Sequence, residues 1–316
     1  MKRYPLLLKP IVKDYIWGGT RLKTDFLIDS DLEILAEAWM LSCHKEGTNL
    51  VINGEFSGKR LDEVLREWNE FDSTFPILIK LIDASDKLSI QVHPNDSYAL
   101  QKEGEFGKTE MWYVIDALPD SKLVYGFNRN IDKQEFKERI ENNSLDEVLN
   151  YVNVKKGDVF FIPSGTLHAI GAGILIAEIQ QNSNTTYRVS DYGRLGIDGK
   201  LRQLHVEKAL EVTNTEPMAV SLNSEYEVIT HSYGSEKILA ECEYFKSSVL
   251  ELDGELKLSN KDSFLSVLVL EGEIQILYGD ERIKAVKSES IYIPSDFSCE
   301  ISGSAKLILS KKGKLK

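Results

Sequence analysis

The stretch Leu88-Ser89-Ile90-Gln91-Val92-His93 alternates apolar and polar residues, and a period of two belongs to a strand with one buried face. On such a strand Ser89, Gln91 and His93 point the same way, so an amide and an imidazole stand side by side on one rigid edge. Such a pair can serve as two ligands to a metal ion, or it can hydrogen-bond within itself. Glu110 and His168, further along the chain, decide between these readings.

The residues around them predict the elements that carry them. From Phe75 onward, runs rich in β-formers predict strands over 76–82, 87–93, 111–116 and 122–125, each bounded by turn-forming residues. Strands resume at Tyr151, over 158–163 and over 174–180. Before these, Leu61, Val64, Leu65, Trp68 and Phe71 recur at helical spacing and predict an amphipathic helix within 58–71. Asp132 with Glu135, and Ser144 with Glu147, read as capping boxes. They place two short helices between 128 and 150 as an insertion among strands. A helix is expected over 204–212, and the polar stretch 213–225, containing Pro217, is the candidate linker. Beyond it lie short alternating strands, over 263–270, 273–278 and 290–294, with His231 as the only histidine of that region.

A chain of 316 residues is long enough for two domains of ordinary size. Its formal charge of −12 argues against nonspecific nucleic-acid binding and requires a local basic pocket for any anionic ligand. Cys43, Cys242 and Cys299 are odd in number and contain no Cys-x-x-Cys pair, which argues against a disulfide framework and a thiolate zinc site. The opening dozen residues hold too short an apolar run for a signal peptide, and no run approaches membrane-spanning length. The expectation is a cytoplasmic protein without membrane or nucleic-acid partners.

The spacing Gly157-x5-Pro163-x-Gly165-x2-His168 resembles the second motif of the cupin family, small antiparallel jelly-roll barrels that hold a metal or ligand in the barrel mouth. The local chemistry agrees: Gly157-Asp158 suits a turn into a strand, Pro163 the exit from it, and Gly165 frees the backbone so that His168 can turn inward. The first cupin motif has His-x-His with a glutamate soon after, whereas this chain has Gln91-x-His93 and a glutamate delayed to Glu110 by an inserted loop. That departure resembles one branch, the type I mannose-6-phosphate isomerase family in its short bacterial form. Trp17-Gly18-Gly19, Glu37-x-Trp39, Ser89 through Asp96, Lys108-x-Glu110, the His168 motif, Glu178, and Arg188 through Arg194 fall in that family's order. The resemblance implies a mainly β protein. A zinc-binding catalytic cupin domain is expected over 1–222, with the helical insertion near 128–150, and a metal-free cupin-like domain over 223–316. In the second half Glu271 to Ile274 and Ile291 to Pro294 echo the strand spacing of the first, with Cys299 where His168 stands.

Carried over residue by residue, the resemblance makes Gln91, His93, Glu110 and His168 the ligands of one Zn²⁺ per chain. Two neutral imidazoles, one carboxylate and one amide oxygen suit that ion, and a single anionic ligand leaves the centre net positive, hence Lewis-acidic. Arg188, Lys108 and Glu178 are implied to be catalytic, with Lys108 and Glu178 as candidates for the proton transfer. Ser89 and Arg194 are implied to receive a phosphate, with Lys108 nearby. Asn184 occupies a position where the family usually has aspartate, and His44, His205 and Lys208 fall in recognisable family stretches. The implied activity is aldose-ketose isomerisation of mannose 6-phosphate and fructose 6-phosphate through a cis-enediol, by a monomer or weak homo-oligomer. Two other readings stand beside it. A cupin Fe(II) dioxygenase is disfavoured by Gln91 in place of a histidine and by the basic set around it. A non-catalytic sugar-phosphate-binding cupin is disfavoured by the joint presence of Glu110, His168 and Arg188.

Overall fold

The computed structural model describes residues 2–71, 74–196, 198–218 and 226–314. Six antiparallel strands form one sheet in the order Val159–Ile162, Glu110–Ala117, Ile174–Gln181, Ile77–Ala84, Glu37–Leu41 and Ile11–Lys13. Five more form a second sheet in the order Leu149–Asn153, Lys122–Phe127, His168–Ala169, Ile90–Val92 and Tyr187–Ser190. Side chains from both sheets meet in one apolar cluster, among them Ile82, Trp112, Val114 and Ile176 from the first and Leu123, Tyr125 and Val152 from the second. The space between these sheets is the barrel interior.

The strands Ile77–Ala84 and Ile174–Gln181 of the six-stranded sheet are buried on both faces, so they read as largely apolar runs. Their alternate residues go to different cores. Ile82, Trp112, Val114, Ile174 and Ile176 face the barrel interior. Ile79, Leu81, Met111, Tyr113, Leu175 and Ala177 belong to a larger core. That core is shared with Val267, Leu268, Ile291 and Leu307 of a nine-stranded sheet built mostly from the C-terminal part of the chain. The N-terminal strand Leu6–Lys9 enters that sheet beside Ser290–Ile293, with Leu6 opposite Tyr292. A third core covers the outer face of the five-stranded sheet and receives Phe136 and Ile140 from the helix Lys133–Glu141.

The helix Leu61–Glu67 buries Leu61, Val64 and Leu65, as its spacing predicts. Asp132 caps the helix Lys133–Glu141 by accepting the Glu135 N–H at 2.7 Å, while the Glu135 carboxylate goes to Arg129 and Arg139, so half of the first capping box forms. The second does not. Ser144 spends its hydroxyl on Asn142 Oδ1 at 2.6 Å, and Leu145–Val148 is only a 3₁₀ turn without a side-chain cap. The two strands expected over 263–270 and 273–278 are one, Leu265–Tyr278, bent by an irregularity in its pairing with Phe297–Lys312 rather than broken by a turn. The expected domain boundary at 222–223 lies outside the described residues. Among those described, no helix is long and apolar enough to cross a membrane.

Glu70, just beyond the helix Leu61–Glu67, clasps the C-terminal sheet. It accepts hydrogen bonds from the Tyr292 hydroxyl at 2.6 Å and from the Ser295 N–H and hydroxyl at 3.1 and 3.0 Å, and pairs with Arg3 at 3.1 Å. Tyr292 is fully buried. Glu70→Ala strands its hydroxyl, and urea unfolding should show a loss of about 1–3 kcal/mol; an unchanged midpoint would make the clasp dispensable.

Candidate active site

His168 opens a two-residue strand and lies opposite Gln91, while Glu110 begins its own strand in the other sheet. The barrel thereby brings His93, Glu110 and His168 together, with one ligand atom of each within 4.8 Å of the others. All three are buried. His93 Nδ1 lies 2.9 Å from the Thr185 carbonyl and His168 Nδ1 lies 2.9 Å from the Thr166 carbonyl. A carbonyl can only accept, so both Nδ1 atoms carry the proton and both Nε2 atoms are acceptors. Burial drives the imidazoles toward the neutral form, His168 to about 4 and His93 well below its ordinary value, the Lys108 ammonium adding to the second.

The two Nε2 atoms stand 3.5 and 3.4 Å from the Glu110 carboxylate oxygens. Neither of those oxygens accepts a well-aligned hydrogen bond from the described residues. Burial, and then the nearby Glu178 carboxylate, push the Glu110 carboxyl up to about 7. The cation beside them is Lys108, whose Nζ lies 3.2 Å from His93 Nε2 and 3.1 Å from Glu110 Oε2. Three acceptors converging on one point, each imidazole braced from behind by a carbonyl and the Glu110 oxygens left without a well-aligned donor among the described residues, are what a divalent cation completes. The residues fit a metal. The Gln91 amide adjoins this group, 3.5 Å from His168 Nε2.

Lys80, Glu178 and Glu37 of the six-stranded sheet carry charge into the same interior. Lys80 Nζ lies 3.5 Å from Glu37 and 3.4 Å from Glu178, and Lys108 lies 3.9 Å from Glu178. Two indoles complete the carboxylates: Trp39 donates to Glu37 at 2.7 Å and Trp112 to Glu178 at 2.9 Å. Burial alone would raise Glu178, but the Lys108 and Lys80 ammonium groups outweigh it and hold the carboxyl below its usual range. Burial likewise opposes the Lys80 charge, and Glu37, Glu178 and Glu110 overcome it.

A cavity of about 300 Å³ opens onto these groups. Ser89, Gln91, Lys108 and Glu178 line it, as do Arg188 and Asn184, so most of the residues singled out in the sequence meet here. Arg194 does not. Its guanidinium is held by Asp191 at 2.6 Å and Asp86 at 3.3 Å and lines a neighbouring cavity of about 570 Å³. Arg202, which no spacing in the sequence marks, lines both cavities and shares the same Asp191 oxygen at 3.1 Å. His44, His205 and Lys208 stay outside the pocket lining. His44 packs edge-on against Trp39, His205 Nδ1 accepts the Arg188 N–H at 3.1 Å, and Lys208 pairs with Glu103 at 2.6 Å. Asn184 donates to Glu46 at 2.7 Å, a contact that an aspartate there would turn into repulsion. Glu37 enters the sequence reading only through the Glu37-x-Trp39 motif and Lys80 not at all, although a lysine inside the apolar run Ile77-Leu78-Ile79-Lys80-Leu81-Ile82 is a visible sign of a buried partner.

Lys80→Met keeps the volume but leaves two buried carboxylates facing each other. It should lower unfolding free energy by about 3–5 kcal/mol in urea, and a loss below about 1 kcal/mol would mean that water, not Lys80, neutralises Glu37 and Glu178.

Comparison with known proteins agrees with this geometry. The family model described as phosphomannose isomerase type I, catalytic domain, matches residues 6–116, and the one described as mannose-6-phosphate isomerase, cupin domain, matches residues 235–312. Mannose-6-phosphate isomerase ManA of Bacillus subtilis is 38% identical over 317 residues, covering 98% of this chain and 99% of that protein. The mannose-6-phosphate isomerase of Streptococcus mutans is 37% identical, covering 97% and 98%. A solved mannose 6-phosphate isomerase from Bacillus subtilis superposes with a TM-score of 0.92 at 35% identity, covering 98% of this chain and 99% of that one. On the full-length identity and the paired domain matches, this chain belongs to the type I phosphomannose isomerase family, with its mainly β cupin fold.

Proposed function

We propose that the chain interconverts mannose 6-phosphate and fructose 6-phosphate, moving a proton between C1 and C2 through a cis-enediol at a site that holds one zinc ion. The observation that carries this reading is the buried His93, Glu110 and His168 acceptor group in contact with Lys108, which lines one cavity together with Glu178 and the Arg188 and Arg202 guanidiniums. His93, Glu110 and His168 would hold the ion, with the Gln91 amide oxygen as fourth ligand once the side chain turns its oxygen inward. When bound, zinc supplies Lewis acidity toward the sugar oxygens.

The other roles follow from where the side chains stand. Glu178, kept ionised by two ammonium groups and oriented by Trp112, accepts a proton, and Lys108 is the donor of the same pair. Arg188, fixed through its guanidinium to the Gln203 carbonyl at 2.9 Å, faces the charge that grows on the enediolate oxygens. Ser89 and Arg202 line the same cavity and receive the phosphate, whose two charges suit a wall carrying Lys108, Arg188 and Arg202. Arg194, placed near the phosphate by resemblance, instead locks Asp191, which orients Arg202.

Purified protein given fructose 6-phosphate in D₂O should show isomerisation with some deuterium entering at C1 or C2 by NMR; no turnover with any divalent metal would sink the proposal. His93→Ala and His168→Ala should each lose the bound zinc while keeping far-UV circular dichroism, and full metal content in both would show the ligand assignment to be wrong. Arg188→Ala should keep its zinc and lose on the order of 10²- to 10³-fold in kcat, with KM changing less than about tenfold. Arg202→Ala should chiefly raise KM, and a larger KM effect at Arg194→Ala would return the phosphate to that residue.

A further inference from the structure

Of the segment that separates His93 from Glu110, Lys108 alone has a part in the chemistry above. Its helix Asp96–Lys102 is capped by Asn95, and the loop behind it leads back to Gly107, Lys108 and Glu110. That loop carries Glu105, whose side chain is 17% exposed. Glu105 Oε2 accepts the Thr185 hydroxyl at 3.1 Å, and Thr185 gives its carbonyl to His93 Nδ1 at 2.9 Å. On its other side Glu105 Oε1 pairs with the Lys45 ammonium and faces His44 Nε2 at 3.8 Å. A continuous line of contacts therefore runs from the hairpin at His44 and Lys45, through Glu105 and Thr185, to an imidazole of the metal group.

Thr185 needs such a hold. It lies between the strands Ile174–Gln181 and Tyr187–Ser190, in neither of them, so no sheet ladder sets the direction of its carbonyl. Side-chain contacts do: the Ser183 hydroxyl accepts the Thr185 N–H at 3.2 Å, and Glu105 takes the Thr185 hydroxyl. His44, Glu46 and Glu105 also lie close enough together to resemble a second metal cluster. Their contacts speak against it, because His44 Nδ1 accepts the Glu46 N–H at 3.2 Å, which leaves the proton on Nε2, and Lys45 already occupies the Glu105 carboxylate.

We propose that Glu105 is a positioning residue for the metal centre: through Thr185 it fixes the carbonyl that keeps His93 in the Nδ1–H tautomer with Nε2 free for the ion. The inserted loop then has a physical role, which is to bring a carboxylate behind the imidazole that the preceding strand presents. This inference rests on the reading of His93, Glu110 and His168 as metal ligands.

The test is zinc affinity of the apo-protein, measured by competition with a chromophoric chelator and independent of turnover. Glu105→Ala should weaken zinc binding ~10- to 100-fold. Thr185→Val, which keeps the carbonyl and removes the hydroxyl, should do the same. Because both act through one contact, the double variant should be no weaker than the worse single variant by more than about threefold. Glu105→Gln keeps an oxygen for the Thr185 hydroxyl and should stay within about threefold of wild type. A zinc affinity of Glu105→Ala within about twofold of wild type, with a lowered melting temperature of the apo-protein, would make Glu105 merely structural and overturn the inference. Losses that multiply in the double variant would overturn it as well. If His93→Ala also binds zinc like wild type, the metal reading itself has failed; if His93→Ala loses zinc and Glu105→Ala does not, only the inference has.

Discussion

An ammonium group with almost no access to water stays charged only where carboxylates surround it, and Lys80 imposes that constraint on the barrel. Glu37 and Glu178 flank it at 3.5 and 3.4 Å, Lys108 follows Glu178, and Glu110 follows Lys108. The result is an alternating chain of three carboxylates and two ammonium groups, with one negative charge in excess. The excess sits at the Glu110 end, where both carboxylate oxygens lack well-aligned donors among the described residues and two imidazole acceptors face them. A divalent cation there would turn the deficit of positive charge into a surplus, which is the condition a dianionic sugar phosphate requires of its pocket.

So much buried charge in one interior demands compensation elsewhere, and the two-faced strands provide it. Each strand of the six-stranded sheet that sends Lys80, Glu110 or Glu178 inward sends its alternate residues, such as Ile79, Met111 or Ile179, into the large core shared with the C-terminal sheet. The C-terminal region therefore contributes apolar burial behind the charged face. Because Leu6–Lys9 pairs with Ser290–Ile293, and Glu70 reaches Tyr292 and Ser295, the two ends of the chain are closed onto one another across that core. A rigid outer layer lets the inner face hold groups that would otherwise spread apart.

Beside the cavity that Arg202 lines, a similar arrangement appears in Asp191, one of whose oxygens accepts from Arg194 and Arg202 together. One guanidinium is spent on fixing the carboxylate, and the other keeps donors directed into the cavity. Behind His93 the Glu105 carboxylate plays a comparable part for Thr185. In both places an irregular loop is made definite by a carboxylate engaged from two sides, since backbone outside a ladder is placed by its side-chain contacts.

Much of this was legible in the chain itself. Alternation in 88–93 disclosed the shared face of Ser89, Gln91 and His93, because a period of two is a local property of extended backbone. The spacing from Gly157 to His168 disclosed the second imidazole, since a turn, a strand and an exit each leave their residue types behind. The cap at Asp132 formed, though Glu135 turned to Arg129 and Arg139, and at Ser144 no cap formed, where the hydroxyl turned to a local acceptor, Asn142. What the sequence by itself determined was therefore the strand grammar, the donor types at Gln91, His93, Glu110 and His168, and the family. The tertiary structure alone decided that Lys80 and Glu37 join the site, that Arg202 rather than Arg194 faces the pocket, and that Glu105 stands behind His93. Most of those contacts join distant residues: Thr185 and Glu105 are 80 positions apart and Arg194 reaches Asp86 across 108, although Arg202 and Asp191 are only 11 apart. No local pattern records which distant partner a charged side chain will find once the sheets close.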